Sequence, residues 1–165
     1  MKYLPFERII YRTNLSEQEV ITRLSDCIEP KKFSWGKKTT KEYEGFVTDS
    51  NFEISRIIDY RNSFLPQIRG AVKENNHVTH IEVTMKLHVL VFVFLIVWCA
   101  FALLFLIAMG VAVGIAEGKI SVVLFIPVFM LVFVYALTMF GFKSESKKSR
   151  EFLKINFEAE IINAD

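Results

Sequence analysis

Two long apolar runs dominate the pattern of hydrophobic and polar positions along the chain. No charged residue occurs between Lys86 and Glu117, and none occurs between Lys119 and Lys143. Each uncharged run exceeds the ~20 apolar residues that a helix needs to cross a hydrocarbon core of ~30 Å. A backbone in lipid must satisfy its own polar groups, as a helix does. The pattern therefore predicts a transmembrane hairpin over 87–142, with spans at about 89–113 and 120–142.

The residues before the hairpin begin with a strand pattern and continue with a helix pattern. Phe6–Thr13 is rich in β-branched and aromatic residues, which is typical of a strand. Ser16 and Glu19 have the spacing of a capping box, which starts a helix. Apolar residues then recur every three or four positions up to Pro30, so one short amphipathic helix is predicted.

Four further strands are predicted in two pairs, namely Lys41–Thr48 with Asn51–Tyr60, and Leu65–Lys73 with Val78–His88. A short polar turn separates the members of each pair. In the last strand apolar and polar residues alternate, as in a strand with one buried face. The sequence therefore predicts an α+β membrane protein: a small antiparallel sheet with one covering helix, its first strand at an edge, followed by a two-helix transmembrane hairpin.

The residues after the hairpin begin with a polar, basic segment and continue with apolar residues at helical spacing. These apolar residues predict a C-terminal amphipathic helix; they are Phe152, Ile155, Ala159 and Ile162. The helix could lie on the membrane or pack on the sheet, and packing on the sheet is preferred. The predicted domains are a cytoplasmic α+β domain at 1–86, the transmembrane hairpin at 87–142 and a cytoplasmic tail helix at 143–165.

The distribution of basic residues predicts the topology of the hairpin. Of 20 Lys and Arg residues, 14 precede the hairpin, five follow it and only Lys119 lies in the connector. An excess of Lys and Arg marks the cytoplasmic side of a membrane, so both termini are expected in the cytoplasm and Glu117 outside. The net charge of +2 is too small to indicate a nucleic-acid partner. No cleavable signal peptide is visible in 1–14, so the first span is expected to direct insertion.

Sequence motifs of catalysis are absent from the chain. It contains no Gly-rich phosphate loop, no nucleophile elbow, no H-E-x-x-H and no C-x-x-C. His80 and Glu82 would share a strand face, but no further ligand is spaced to complete a metal site. Neither span contains an ionisable residue of the kind that transport proteins place at membrane depth. The sequence therefore predicts no enzyme, no cofactor and no metal.

A basic segment with two aromatic residues interrupts the first domain. Aromatic side chains partition to the headgroup region, and each nearby lysine contributes about 1 kcal/mol of attraction to anionic lipid. We interpret the segment as a candidate membrane-surface site, and the alternative is an ordinary solvated loop. Its residues are Lys31, Lys32, Phe33, Trp35, Lys37 and Lys38.

Small residues recur at the end of the first span. Gly110, Gly114 and Gly118 are spaced by four, which lets two helices approach closely, either within the hairpin or between copies of the chain. In the alternative, the glycines only shape the end of the span and its turn.

The most distinctive stretch of the first domain runs from Phe52 to Gly70. Its arginines lie on or between two adjacent predicted strands, and a guanidinium suits phosphate or carboxylate better than an ammonium does. The candidate binding residues, for a lipid headgroup or an acidic partner, are Arg56, Arg61, Asn62 and Arg69. In the alternative, the arginines pair with carboxylates of the same sheet, namely Glu53, Asp59 or Glu82.

This stretch contains the heptapeptide YRNSFLP at Tyr60–Pro66. Together with Thr79–His88 and the span that bears Trp98, it resembles an uncharacterised family of small bacterial membrane proteins with two transmembrane helices. The resemblance covers roughly Gly45 to Trp98. It implies a bacterial inner-membrane setting and a two-span layout, and it brings no activity and no catalytic residue.

We therefore expect a membrane-anchored cytoplasmic domain that binds a protein partner or lipid headgroups, as an accessory subunit or homo-oligomer. The alternative is a hydrophobic-ligand or lipid-handling module, in which the sheet and its helix enclose an apolar cavity. An enzyme that acts on membrane lipid is disfavoured, because no nucleophile accompanies the arginines and His80. Identifying what co-purifies in mild detergent would separate the first two.

Overall fold

The computed structural model describes the chain in four ranges, 3–30, 41–75, 78–115 and 125–164. In these ranges the fold is α+β, with a mixed seven-stranded sheet and three helices. The contacts divide the chain into two units. The first comprises Met1–His88 and Gly141–Asp165, and the second comprises Val89–Phe140.

In chain order the elements are β1 (Phe6–Thr13), α1 (Glu17–Cys27), β2 (Ile28–Pro30), β3 (Tyr43–Val47), β4 (Asn51–Arg56), β5 (Pro66–Asn75), β6 (Val78–Leu87), α2 (Val89–Ile115), α3 (Phe125–Asn156) and β7 (Glu160–Ala164). The strand order is β2-β3-β4-β5-β6-β1-β7. Neighbouring strands are antiparallel, except that β2 runs parallel to β3. The capping box is present at the start of α1, where Ser16 and Glu19 satisfy each other's backbone amides.

The prediction of a small, antiparallel sheet is wrong. The two predicted hairpins are present as β3–β4 and β5–β6, but they form only part of a larger sheet. Pro30 does not simply end the helix: the chain leaves α1 directly into β2, a three-residue edge strand parallel to β3. A proline is tolerated there because an edge strand has one side without ladder bonds. β1 lies between β6 and β7 rather than at an edge.

The prediction of a separate tail helix is also wrong, because α3 runs from Phe125 to Asn156 and includes the basic segment. It ends in a Schellman turn, in which the amides of Glu158 and Ala159 donate to the carbonyls of Ile155 and Lys154, both at 3.1 Å. The chain then forms β7, which pairs with β1. Two residues assigned to the tail helix therefore lie in other elements, Ala159 in the turn and Ile162 in β7.

One face of the sheet forms the core of the first unit, and α1 and the 141–156 stretch of α3 cover it. Val20 and Leu24 of α1 are fully buried. Aromatic rings fill the layer: Tyr43 stacks on Phe152 with centroids 4.2 Å apart, and Tyr11 meets Phe157 edge to face at 6.2 Å. The preferred expectation, that the tail packs on the sheet, agrees with these contacts.

A close cross-strand pair explains one glycine in this core. Phe52 lies opposite Gly70 on neighbouring strands. A Cβ added at Gly70 would lie 2.1 Å from the Phe52 ring. Only glycine therefore leaves room for the ring, which in turn reaches Phe157 at a centroid distance of 6.1 Å.

The second unit consists of α2 and the first part of α3, and both helices are long and apolar enough to cross a membrane. In the 18-residue window that is scored for each helix, mean hydropathy is 3.2 for Val89–Gly114 and 2.2 for Phe125–Asn156. Most of their large apolar side chains are exposed. Less exposed residues recur at three- and four-residue spacing, among them Val91, Leu95, Trp98, Ala102, Leu106, Met109 and Val113 in α2, and Pro127, Leu131, Val134 and Thr138 in α3.

Candidate functional site

The connection between β4 and β5, residues 57–65, packs on α3 and is called the β4–β5 loop. Asn62 Nδ2 donates to the carbonyl of Gly141 at 3.1 Å, and Asn62 Oδ1 accepts from the amide of Phe64 at 2.9 Å. Gly141 lies so close to the loop that an added Cβ would be 3.0 Å from Phe64 Cδ2. Asn62 therefore closes the turn of the loop and holds it on the helix.

A buried carboxylate joins this loop to β4 and α3. The Glu145 side chain is only 2% exposed. Arg56 Nη1 lies 2.6 Å from Oε2, Lys148 Nζ lies 2.8 Å from Oε1, and the Tyr60 hydroxyl donates to Oε1. Burying an ionised carboxylate is costly unless it is paired and hydrogen-bonded, and both oxygens are satisfied here. We call Arg56, Tyr60, Glu145 and Lys148 the Glu145 cluster.

The cluster keeps its carboxylate ionised. Burial by itself would raise the pKa of Glu145, but hydrogen bonds from Lys148, Tyr60 and Arg56 outweigh burial and hold that pKa below its ordinary range. Desolvation would likewise lower the pKa of Arg56, yet its bond to Glu145 keeps that pKa above the ordinary value. With a lowered pKa and three donors, the Glu145 carboxylate is suited to join β4, the β4–β5 loop and α3.

A second buried carboxylate lies where β1 meets α3. Glu7 has an 8% exposed side chain, and its oxygens accept from Lys143 Nζ at 2.8 Å and from Ser146 Oγ at 2.5 Å. One turn further, the Tyr43 hydroxyl donates to Ser149 Oγ at 3.2 Å. The face of α3 that packs on the sheet thus contains buried serine and glutamate side chains as well as apolar ones.

The structure does not bring the three predicted arginines into one site. Arg56 pairs with Glu145, which was not among the partners that the sequence analysis considered. Arg69 pairs with Glu53 through two contacts of 3.0 and 3.1 Å, as the alternative reading of the arginines anticipated. Arg61 is exposed in the β4–β5 loop and has no ion pair with any described residue. Of the three arginines, only Arg61 therefore has a charge without an ion pair in the described part of the chain.

The other candidate sites differ in what the structure says of them. The segment from Lys31 to Lys38 lies outside the described residues, as do Gly118 and Glu117. Gly110 and Gly114 are exposed, and a Cβ added at either would have no described neighbour within 4 Å. These two glycines therefore make no close contact within the described part of the chain.

Sequence reasoning missed the buried polar residues of α3. The segment after the second span was interpreted as a polar, basic connection, because its lysines and serines outnumber its apolar residues. The spacing of these residues does indicate a helix with one buried face. Phe142, Ser146, Ser149 and Leu153 are spaced by three or four, and all are fully buried. Counting serine as a permitted core residue would have extended the helix through the segment.

The described residues offer little for covalent chemistry. They contain no group of three or more His, Cys, Asp or Glu that could hold a metal ion. Ser146 and Ser149 are fully buried and occupied by hydrogen bonds, so neither is available as a nucleophile. Two open surface cavities of about 270 and 250 Å³ flank the exposed Phe46, and the titratable residues that line them are Glu53 and Arg69, which already pair with each other.

Comparisons of the chain with family models, with curated proteins and with solved structures find no match. The class of protein is therefore defined by the chain itself: an α+β unit with a mixed seven-stranded sheet, in a chain with two helices that are apolar enough to cross a membrane.

Proposed function

We propose that the chain is a membrane-anchored, non-catalytic binding protein of the bacterial inner membrane. The observation that carries this proposal is the exposed apolar surface of the second unit, where for example Phe101, Phe129 and Phe140 are 68, 69 and 78% exposed. Soluble proteins rarely expose contiguous apolar surface on this scale, whereas a lipid environment covers it. The resemblance of the stretch around Tyr60–Pro66 to two-span bacterial proteins supports the same setting.

The charge distribution supports a topology with both termini in the cytoplasm. The 14 Lys and Arg residues before the hairpin and the five after it contrast with the single Lys119 between the helices. The α+β unit then faces the cytoplasm, where it binds a protein partner, a second copy or anionic lipid headgroups as an accessory subunit. A nucleic-acid partner is not part of the proposal, because the net charge is only +2.

Packing in the first unit favours surface binding over the handling of a buried ligand. Rings of Tyr11, Tyr43, Phe152 and Phe157 are in contact within the layer between the sheet and the helices. A lipid-handling module would instead need a sizeable apolar cavity in that layer. We therefore place the binding function on the exterior of the unit.

The topology is tested by cysteine labelling in intact cells. Glu117→Cys, in a chain with Cys27→Ser and Cys99→Ala, should react with a membrane-impermeant maleimide added outside. A cysteine at the exposed Asn14 should react only after lysis. Labelling of position 117 only after lysis would reject the proposed orientation.

Binding is tested by what remains with the chain in mild detergent. Arg61→Gln should leave thermal unfolding unchanged and reduce capture of anionic lipid or of an acidic partner protein, because this guanidinium has no described partner. Arg69→Gln is the matched control, since its guanidinium is already paired with Glu53. Retention of every co-purifying lipid and protein by Arg61→Gln would remove Arg61 from the proposal.

A further inference from the structure

The sheet face opposite α1 and α3, called the outer face, carries a line of three basic side chains. Arg12 on β1 lies directly opposite His80 on β6, and His80 lies opposite Lys73 on β5. Neighbouring strands are ~4.8 Å apart, so the outer two residues of the line are separated by about 10 Å at the backbone. Arg12 and Lys73 are exposed and His80 is half-buried. We call these three residues the basic line.

Elsewhere on the outer face, arginines are neutralised by carboxylates of the same sheet. Arg8 Nη2 lies 2.5 Å from Glu82 Oε1, and Arg69 Nε lies 3.0 Å from Glu53 Oε2. Each pair joins neighbouring strands across the face. These pairs show how the sheet balances its own charge where no partner is needed.

The basic line is not balanced in this way. Within the described residues, neither Arg12 nor Lys73 has an ion pair. Two carboxylates lie near the line: Glu82 is two residues from His80 on β6 but is engaged by Arg8, and Glu160 lies opposite Arg12 on β7 without forming an ion pair with it. The charges of Arg12 and Lys73 therefore remain available to an external anion.

We propose that the basic line binds an acidic segment of a protein partner, whose carboxylates lie across β1, β6 and β5. This inference rests on the proposed function, a membrane-anchored binding protein, and names the chemistry of its partner. Arg12 supplies a planar fork of donors that can hold one carboxylate through two bonds, and Lys73 supplies a point charge about 10 Å away. Two acidic side chains of one extended segment can therefore be engaged together.

The surroundings of the line favour a protein over a membrane or a small molecule. Membrane-binding surfaces combine basic residues with large exposed apolar side chains that enter the bilayer. Near the line, Ile10 on β1 is only half-exposed and Ile162 on β7 is 54% exposed, so no group of large apolar side chains adjoins the line in the described residues. The two open cavities near Phe46 are lined by other residues than those of the line. A partner that spans an open, strongly charged surface fits this geometry.

The test measures binding of a fluorescently labelled hexaglutamate peptide to the full chain in nanodiscs of neutral lipid. The unaltered chain should bind, and affinity should fall as salt is raised because the contact is electrostatic. Arg12→Gln and Lys73→Gln should each weaken binding at least fivefold, and the double variant should abolish it. Arg69→Gln, on the same face but with its charge already paired, should bind within twofold of the unaltered chain.

Three results would overturn the inference. They are the absence of peptide binding at low salt, equal affinity in Lys73→Gln and the unaltered chain, and binding to phosphatidylglycerol vesicles that depends on the line while the peptide does not bind. Thermal unfolding provides a check on folding, because Arg12 and Lys73 have no described partner to lose and both variants should unfold like the unaltered chain. Failure here leaves cysteine labelling at position 117 unaffected, so the membrane-anchored function is judged separately.

Discussion

Residues 125–140 and 141–156 belong to one continuous helix, α3, but use their side chains in opposite ways. In the first stretch large apolar side chains are exposed, as at Phe129 and Phe140. In the second, charged and hydroxyl side chains are buried, as at Glu145, Ser146 and Ser149. The comparison shows that hydrophobicity does not by itself predict burial in this chain. Apolar exposure suits a segment proposed to face lipid, whereas the buried Glu145, Ser146 and Ser149 side chains are held by hydrogen-bond partners.

The two stretches should therefore differ in what destabilises them. A hydrogen bond contributes a net of about 1 kcal/mol, but a buried group left without its partner costs about 1–3 kcal/mol. The 141–156 stretch should be sensitive to the loss of single polar atoms. The helices of the second unit should be insensitive to such changes. The following predictions, from the largest expected effect to the smallest, test that difference by thermal unfolding of the full chain in mild detergent.

The largest effect is expected when the carboxylate of the Glu145 cluster is removed. Glu145→Ala leaves Arg56 partly buried without its counter-ion and Tyr60 without its acceptor. Breaking a buried pair by removing one partner costs about 3 kcal/mol or more. Glu145→Gln keeps the shape and should lose less. Arg69→Gln breaks an exposed pair and should change stability by about 1 kcal/mol at most. Equal, small losses in Glu145→Ala and Arg69→Gln would show that the cluster does not hold the loop on α3.

A second large effect is expected where the β4–β5 loop meets the helix. Gly141→Leu places a side chain against Phe64 Cδ2 and the side-chain oxygen Oδ1 of Asn62, which an added Cβ would already approach to 3.0 and 3.1 Å. Overpacking of this kind typically costs about 1–3 kcal/mol. Gly114→Leu in α2 is the matched control, because its Cβ would have no described neighbour within 4 Å.

The Gly114→Leu control also tests whether the regularly spaced glycines of α2 lie at a helix contact. If Gly110 and Gly114 lie between copies of the chain, Gly114→Leu should weaken association by about 1 kcal/mol without changing the stability of the single chain. The oligomeric state in detergent measures this. If the oligomeric state does not change, the glycines only shape the end of the span and its turn.

A smaller effect is expected from pH. The pKa of Glu145 is lowered in the folded chain, so at acid pH the unfolded chain binds the proton more readily. The stability that the ionised carboxylate contributes is thus complete above the ordinary carboxyl pKa of about 4.3 and is lost as pH falls through the lowered folded value. Unfolding between pH 6 and pH 3 should therefore be less pH-dependent in Glu145→Gln. An identical acid profile in the variant would contradict this assignment.

The sequence predicted the parts of the fold that one strong pattern determines. The uncharged runs predicted both apolar helices, alternation predicted the β5–β6 hairpin, and Ser16 with Glu19 predicted the start of α1. The position of β1 could not be predicted, because pairing of β1 with β6 and β7 joins residues more than 60 positions apart. Local patterns carry no information about such long-range pairing.

The candidate site was less predictable than the fold. Arginines in YRNSFLP and its flanks were noticed for their chemistry, but their partners lie on other elements, as Glu145 does for Arg56. Asn62 was correctly placed in the connection between two strands, yet its contact with Gly141 depends on where α3 lies. What can be predicted from the sequence is which residues need partners; which partners they find depends on the tertiary packing.

The smallest expected effect concerns the turn where α3 gives way to β7. Glu158 has φ 47°, a left-handed conformation that side chains with a Cβ adopt at a cost, and it occupies the Schellman position usually taken by glycine. Glu158→Gly removes that cost but also removes the exposed ion pair with Arg23, so a net gain of about 0.5 kcal/mol is expected. In an Arg23→Gln background no ion pair remains to be lost, and the gain should rise to about 1 kcal/mol. If glycine destabilises the chain in both backgrounds, the turn is held by contacts of the Glu158 side chain rather than by its backbone. The sensitivity of the 141–156 stretch to the loss of polar side-chain contacts would then extend to the end of the helix.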